Sequence, residues 1–508
     1  MELELERTEW NGYETILDTT VCREETLEAI VPDACPDILR ICDVEGTAYL
    51  AGKEAQEGRV ELSGTVRAVL LYLPDGGQGV RRMEVTLPFT CTADAAAITP
   101  ACLVTAVPRV QSADARLLNP RKVLVRASLA ADIQVFRPTA RQVCSGIAEG
   151  ESAGVEQRSE QYDTCDVVCV QEKSFTFADD LTLSGGKPEA EELLKTRAYL
   201  RCGEAKVIGN KLIFKGETFL QLLCRASDNT LFSAEFQLPF SQIMEVSGAG
   251  EEAGCDVQVT LTDLDCTLDG GDGRTFSVAL GLLAQAAIRE TRTLRLLTDA
   301  YSTLYPMTCQ SGCCTLDRLA DCGEKEITVR ELMELGELLK EVSDAYVCVG
   351  PLTQSREGAR MTVTAQINVT VLYRTAEGEP GSLTRPLQAV CVLDLPEGAV
   401  CACRCVCTAP VFAAAAAGGL EVRLPVSFQY VAYAPQAAAG ITAAAIDETA
   451  PLDHAGRPSI VLRMVGAGER LWDIAKSYGT TAADIVQANA LEEGGPVSGQ
   501  LLLIPRKR

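Results

Sequence analysis

The tightest constraint on this chain is an alternating run of side chains that occurs three times. The runs are Val60–Tyr72, Leu212–Cys224 and Met361–Tyr373. A step of eight separates Gly64 from Tyr72, Gly216 from Cys224 and Ala365 from Tyr373. In the third run Val363, Ala365, Ile367, Val369 and Val371 fall on one face, with Thr362, Thr364, Gln366, Asn368 and Thr370 on the other. A period of two marks a strand with one buried face. Turn formers follow each run: Pro74-Asp75-Gly76-Gly77, Asp228-Asn229 and Glu377–Gly381. Each turn leads to a further run carrying Pro88, Pro239 or Pro386, which lie 16, 15 and 13 residues beyond the last aligned position.

The repeat predicts a mainly β fold: three β-rich repeat domains and a small C-terminal βααβ domain. The expected boundaries are 1–140, 185–305 and 306–435 for the β domains, the third being the most divergent. Residues 141–184 are expected as a connector, 436–458 as a flexible tether rich in Ala, Pro and Gly, and 459–508 as the terminal domain. Glu189–Leu200 and Thr328–Leu339, rich in Glu, Leu and Lys, are predicted to be short helices. Aromatics are only 5% of the chain, so Val, Leu, Ile and Ala must fill the cores.

Charge and cysteine usage narrow the function. The net charge is -24. From Ser459 onward six Lys/Arg stand against five Asp/Glu, a net of +1, so the remaining chain carries -25. Such a body repels phosphate backbones, which argues against nucleic acid as a partner. Met1–Arg7 has no basic and apolar signal pattern, and no apolar stretch approaches the ~18 residues of a membrane span. A cytoplasmic protein without a transmembrane segment is expected, with its 22 cysteines as thiols.

No catalytic set emerges. The single histidine, His454, lies in the expected tether, which removes a His–His metal site and makes Ser–His or Cys–His chemistry improbable. Gly270–Arg274 is glycine-rich but opens no helix. Cys401, Cys403, Cys405 and Cys407 would share one strand face about 7 Å apart, a poor spacing for disulfides or zinc and a good one for a buried face. The Pro32-Asp33 and Pro36-Asp37 steps read as turns with capping carboxylates. The expectation is a non-enzyme with no cofactor and no metal.

The last fifty residues are the sharpest local signal. Ser459–Val465 reads as a strand, Gly466–Arg470 as a tight loop, and Leu471, Ile474, Ala475 and Tyr478 as one helix face. Gly479 stops that helix. Thr480-Thr481 can cap a second, with Ile485 and Val486 inward, and Gln500–Pro505 closes as a strand. Gly468–Gly479, Ala488-Asn489 and Gly499–Pro505 resemble the LysM family. The resemblance implies binding of N-acetylglucosamine glycans, including peptidoglycan, in a shallow groove. Its walls would be Gly468, Glu469, Arg470, Leu471 and Trp472 on one side, and Asn489, Ala490 and Leu491 on the other. LysM domains usually carry Asp-Thr where this chain has Glu469-Arg470. Trp472 follows Leu471 and reads either as an exposed contact anchor or as a cover on the edge of a small core.

Upstream, Val31-Pro-Asp-x-x-Pro-Asp-Ile38, Leu87-Pro-Phe89, Asn119-Pro-Arg-Lys-Val123 and Asp299-Ala-Tyr-Ser-Thr303 are similar to the SPOCS domain. Several such units followed by one LysM is the layout of SipL-type spore coat morphogenetic proteins. That likeness implies a mother-cell protein recruited to the forespore surface. Its implied partners are the ATPase of the spore coat basement layer and other coat proteins. The competing expectation is a plain peptidoglycan-binding protein whose β domains are spacers.

Overall fold

The computed structural model describes all residues except 77–78, 149–152, 270, 336–338, 417–418, 454–457, 492–497 and 506–508. The protein is mainly β, and one strand order recurs three times. The first set is β1 (Leu5–Ile30), β2 (Ile38–Gln56), β3 (Arg59–Pro74), β4 (Arg81–Asp94), β5 (Leu103–Asn119) and β6 (Lys122–Ile147). The second is β7 (Val155–Thr182), β8 (Ala190–Ile208), β9 (Lys211–Ala226), β10 (Leu231–Glu245), β11 (Gly254–Leu268) and β12 (Thr275–Ser302). The third is β13 (Met307–Glu334), β14 (Leu339–Glu357), β15 (Arg360–Thr375), β16 (Pro380–Asp394), β17 (Val400–Cys407), β18 (Phe412–Ala416) and β19 (Gly419–Ile446). In each set strands two to four form an antiparallel meander, while the first strand pairs along its length with the last. The last strand also pairs with the one before it, or with β17 and β18 in the third set.

The three alternating runs are the central meander strands β3, β9 and β15. Val60, Leu62, Val66, Ala68 and Leu70 meet Val123, Val125, Ala127 and Leu129 of β6 in the first core, which explains the period of two. The alternation breaks at Leu70-Leu71-Tyr72, Leu222-Leu223-Cys224 and Val371-Leu372-Tyr373 because both faces are buried there. Leu71, Leu223 and Leu372 turn away from their own cores and meet in one cluster where the meanders converge.

A ring of polar side chains surrounds that cluster. Asp43, Lys195 and Asp344 pair with Leu71, Leu223 and Leu372 in β2, β8 and β14, and are therefore equivalent positions. Two residues on come Glu45, Arg197 and Tyr346, and all six are buried. Lys195 Nζ donates to Asp43 and, at 3.0 Å, to Glu45. Arg197 donates to Glu45 and to Asp344 at 3.1 Å. The Tyr346 hydroxyl lies 3.0 Å from Asp43, and both cations sit over its ring at 4.7 and 4.8 Å. No set satisfies its own members; each ion pair crosses between sets.

Several readings from sequence are corrected here. Glu189–Leu200 is strand β8 apart from its first residue, and Thr328–Glu334 is the end of β13; hydrogen-bonded pairing overrides the helical propensity of Glu, Leu and Lys. The expected connector 141–184 holds the end of β6 and the whole of β7, the first strand of the second set. Of the expected tether, Gln436–Ile446 is the end of β19, paired with β13 down to Met307. His454 lies outside the described residues. Pro88 and Pro239 stand opposite Thr65 and Glu217, but Pro386 stands opposite Asn368, so the third proline is not in the equivalent place. All three occupy edge strands, where a missing N–H costs no ladder bond.

The short motifs acquire structural roles. Arg121, just before β6, donates to Asp33 and Asp37 at 3.1 Å each and to the carbonyls of Cys35 (2.8 Å) and Val31 (3.0 Å). The paired Pro-Asp steps are thus a clamp for one guanidinium. Arg274, just before β12, does the same for the Leu183 and Ser184 carbonyls. The four thiols of Cys401–Cys407 lie in or against the third core, and burial raises the pKa of Cys403 and Cys405 to about 12. Phe89 lies across from Gly64, and Phe240 across from Gly216. A Cβ at Gly64 would stand 2.3 Å from the Tyr49 carbonyl and 2.5 Å from the Phe89 ring. In the third set two small residues, Ala365 and Ala389, take these places.

Gly64→Ala should therefore destabilise the fold through overpacking, by about 1–3 kcal/mol, and lower the melting temperature. Gly254→Ala, whose Cβ meets nothing closer than 3.9 Å, should stay within about 0.5 kcal/mol. Equal melts of the two variants would refute the packing role of the glycine–phenylalanine pair.

Candidate functional site

The C-terminal unit comprises β20 (Ile460–Met464), α1 (Leu471–Tyr478), α2 (Ala482–Asn489) and β21 (Leu501–Pro505), with β20 and β21 antiparallel. Ile474, Ala475, Ile485, Leu502 and Ile504 form its core, with Leu471 and Tyr478 packed on the edge. Gly479 ends α1 in the left-handed region at φ 63°. The Thr481 hydroxyl caps α2 by accepting from the Asp484 amide at 2.9 Å. Val486, expected inward, is 38% exposed, because α2 is short and Ile485 alone reaches the core.

Six of the eight expected site residues fall into three pairs. Gly468 and Ala490 are exposed, both with positive φ, at the tips of the two loops. Leu471 and Leu491, one from each loop, pack on the same small core and bring the two walls together. Glu469 and Asn489 are committed within the unit. The Glu469 carboxylate accepts from the Gly466 amide at 2.9 Å and from Arg463, closing the loop where LysM domains usually have Asp-Thr. Asn489 donates to the carbonyls of Ile485 (2.8 Å) and Leu503 (2.6 Å) and accepts from the Leu503 amide (2.7 Å), tying α2 to β21. Arg470 is largely exposed and pairs with Asp473 at 3.2 Å.

Trp472 points to neither the loops nor open solvent. Its Nε1 donates to Asp299 at 2.7 Å, and Lys476 donates to the other oxygen of that carboxylate at 2.7 Å. Tyr301 stacks edge-on against the Trp472 ring at 5.0 Å, joins the unit's core, and donates its hydroxyl to the Thr480 carbonyl at 2.7 Å. The Arg158 guanidinium lies over the same ring at 5.7 Å. Trp472 is therefore a contact anchor, and what it contacts is the β body of the same chain. Burial alone would raise the pKa of Asp299, but the hydrogen bonds from Lys476 and Trp472 outweigh it and hold the carboxyl below its ordinary range.

A bulge explains why the second set bears this unit. Ser145, Thr298 and Thr442 are the unpaired extra residues near the ends of the three long hairpins. One and three residues beyond lie Gly146 and Ala148, Asp299 and Tyr301, or Ala443 and Ala445. Only the second set offers a carboxylate and a phenol there.

A SipL, SPOCS domain model matches residues 37–118 and 189–269, and a LysM domain model matches residues 464–505. The chain carries two SPOCS domains and a C-terminal LysM domain. The comparisons with curated proteins and with solved structures found no match. Each SPOCS match runs from a meander through the strand after it, β2–β5 and β8–β11. The third set, with alanines in place of the glycine–phenylalanine pair, lies outside both matches. The LysM match covers both loops and the Trp472 anchor.

Sequence reasoning left Trp472 as either an exposed contact anchor or a cover on the core edge, and missed Asp299, Tyr301 and Arg158 as its partners. The available signal was the Asp299–Thr303 motif, a tyrosine and an acid at a strand end in a chain poor in aromatics.

Asp299→Asn should loosen the docked LysM domain by about 1–3 kcal/mol, since two donors lose a charged acceptor. Proteolysis between residues 447 and 458 should then accelerate while the melt of the β body stays unchanged. The lowered pKa makes this contribution present above the ordinary carboxylate range and lost as pH falls through the folded value. Unchanged cleavage in Asp299→Asn would contradict the docking role.

Proposed function

We propose that the protein is a non-catalytic morphogenetic scaffold of endospore envelope assembly, with the three strand sets acting as three SPOCS-like domains. On this reading it works in the mother-cell cytoplasm, is recruited to the forespore surface, and tethers the coat basement layer there. The observation that carries the reading is the pairing of SPOCS domains with a LysM domain held on the body through Asp299, Tyr301 and Trp472. A tether that must fix one layer to another gains from a terminal module held in a fixed orientation, because the ordering cost is met before binding. The several β domains offer further surfaces, and simultaneous engagement multiplies affinity.

The partners on this reading are the basement-layer ATPase and other coat proteins, with peptidoglycan or another N-acetylglucosamine glycan at the LysM loops. Gly468, Arg470, Leu471, Ala490 and Leu491 remain the candidate contacts there. Trp472, Glu469 and Asn489 act from behind, by docking the domain and shaping its loops. The LysM match favours a second reading, a peptidoglycan-binding protein whose β domains are spacers.

Pull-down of the full chain with purified basement-layer ATPase, beside co-sedimentation with insoluble peptidoglycan, separates the two. The scaffold reading expects capture of the ATPase, with any pelleting on peptidoglycan weakened at least about tenfold by a charge placed in the loop wall, Leu491→Arg. Pelleting with peptidoglycan and no capture of the ATPase would favour the spacer reading.

A further inference from the structure

The two-stranded sheet of the LysM domain leaves one face and one edge open. Leu502 and Ile504 of β21 turn into the domain's core, so the alternate residues lie on the opposite face. There Met464 pairs with Leu501 and Leu462 with Leu503. Ile460 is 55% exposed, Leu462 64%, Met464 65% and Leu501 56%. Large apolar side chains grouped this openly on one short ribbon mark a contact surface.

The backbone decides what fits there. The Val465 amide donates to the Gln500 carbonyl at 2.9 Å, so Val465 and, by alternation, Arg463 and Val461 aim their N–H and C=O groups at β21. Those of Ile460, Leu462 and Met464 point to the outer edge of β20, where they meet no partner among the described residues. The other edge of the ribbon is closed: Asn489 bonds both the amide and the carbonyl of Leu503, and Pro505 has no N–H to offer. The outer meander strands of the body carry prolines too, Pro88 in β4, Pro239 in β10 and Pro386 in β16, a device that blocks strand addition. Strand β20 has no proline, and its one charge, Arg463, is paired with Glu469.

An open edge of this kind accepts an extended strand. The incoming strand must present an apolar side chain at every second residue and set no cation against Arg463. Strand β20 meets both demands itself. Antiparallel to its own copy about Leu462, it sets Leu462 against Leu462, Ile460 against Met464 and Arg463 against Val461. We propose that two copies of the chain associate by pairing β20 with β20, joining their LysM ribbons into one sheet. Ile460, Leu462 and Met464 then exchange both backbone bonds with the other copy. The contact is isologous, and the closed edge of β21 stops growth at a dimer. Charge favours this meeting point, because residues from Ser459 onward carry a net of +1 while the rest of the chain carries -25 and repels its like. The proposal is independent of the scaffold reading, since it concerns neither the LysM loops nor a coat partner.

The test is sedimentation equilibrium of the full chain, with hydrogen exchange followed as concentration rises. A contact this small predicts a dimer with a dissociation constant on the order of 10–100 µM. Leu462→Lys opposes two ammonium groups at the twofold axis and should weaken the dimer at least about tenfold. The side chain is largely exposed, so the melting temperature should hold. Ile208→Lys, 51% exposed on β8, should leave the dimer intact. The amides of Ile460, Leu462 and Met464 should gain protection as the dimer forms. A chain that stays monomeric at about 300 µM would overturn the proposal and leave the edge to a strand of another protein. A dimer that survives Leu462→Lys, or forms without protecting those amides, would overturn it as well.

Discussion

The buried charge ring of Asp43, Glu45, Lys195, Arg197, Asp344 and Tyr346 is the constraint on which the rest of the body depends. Two acids come from the first strand set, two cations from the second, and an acid and a phenol from the third. Taking such groups out of water costs several kcal/mol each, and an apolar replacement of the whole ring could be as stable. What the ring supplies is selection. A first set beside another first set would oppose carboxylate to carboxylate, and a second beside a second would oppose cation to cation. Glu45 shows the balance: burial works against its charge, yet Arg197 and Lys195 hold its pKa at about 2.

The leucine cluster beneath the ring does the opposite work. Leu71, Leu223 and Leu372 would fit one another in any order, so they supply attraction without identity. The two layers together convert three copies of one topology into one ordered body. The long hairpins then converge a second time, where Trp10 meets Leu294, Leu296, Leu316 and Ala438. Departures from threefold equivalence sit at the working positions. Asp299 and Tyr301 beyond the second bulge hold the LysM domain.

What the sequence disclosed follows from how local each cause is. The strands β3, β9 and β15 were legible because one buried face imposes a period of two. The LysM elements were legible because helix stop, cap and core lie within a few residues of one another. Strand β8 was not, since Leu194 and Lys195 are buried against residues more than a hundred positions away, Leu71 and Asp43 among them. Strand β7 was read as a connector because its polar stretch gives no alternation, and its pairing with β12 is non-local. For the candidate site, the loops and an aromatic at the edge of the small core could be read from residues 468–491. The carboxylate that receives Trp472 lies 173 positions upstream and could not.

Differential scanning calorimetry of the full chain beside Arg197→Ala tests most directly the claim that the charge ring unites the three strand sets. The wild type should unfold its body in one cooperative transition. The variant leaves Glu45 and Asp344 buried without their guanidinium, which should cost about 3–5 kcal/mol and split the transition as the sets separate. Three independent transitions in the wild type, or an unchanged single transition in Arg197→Ala, would contradict it.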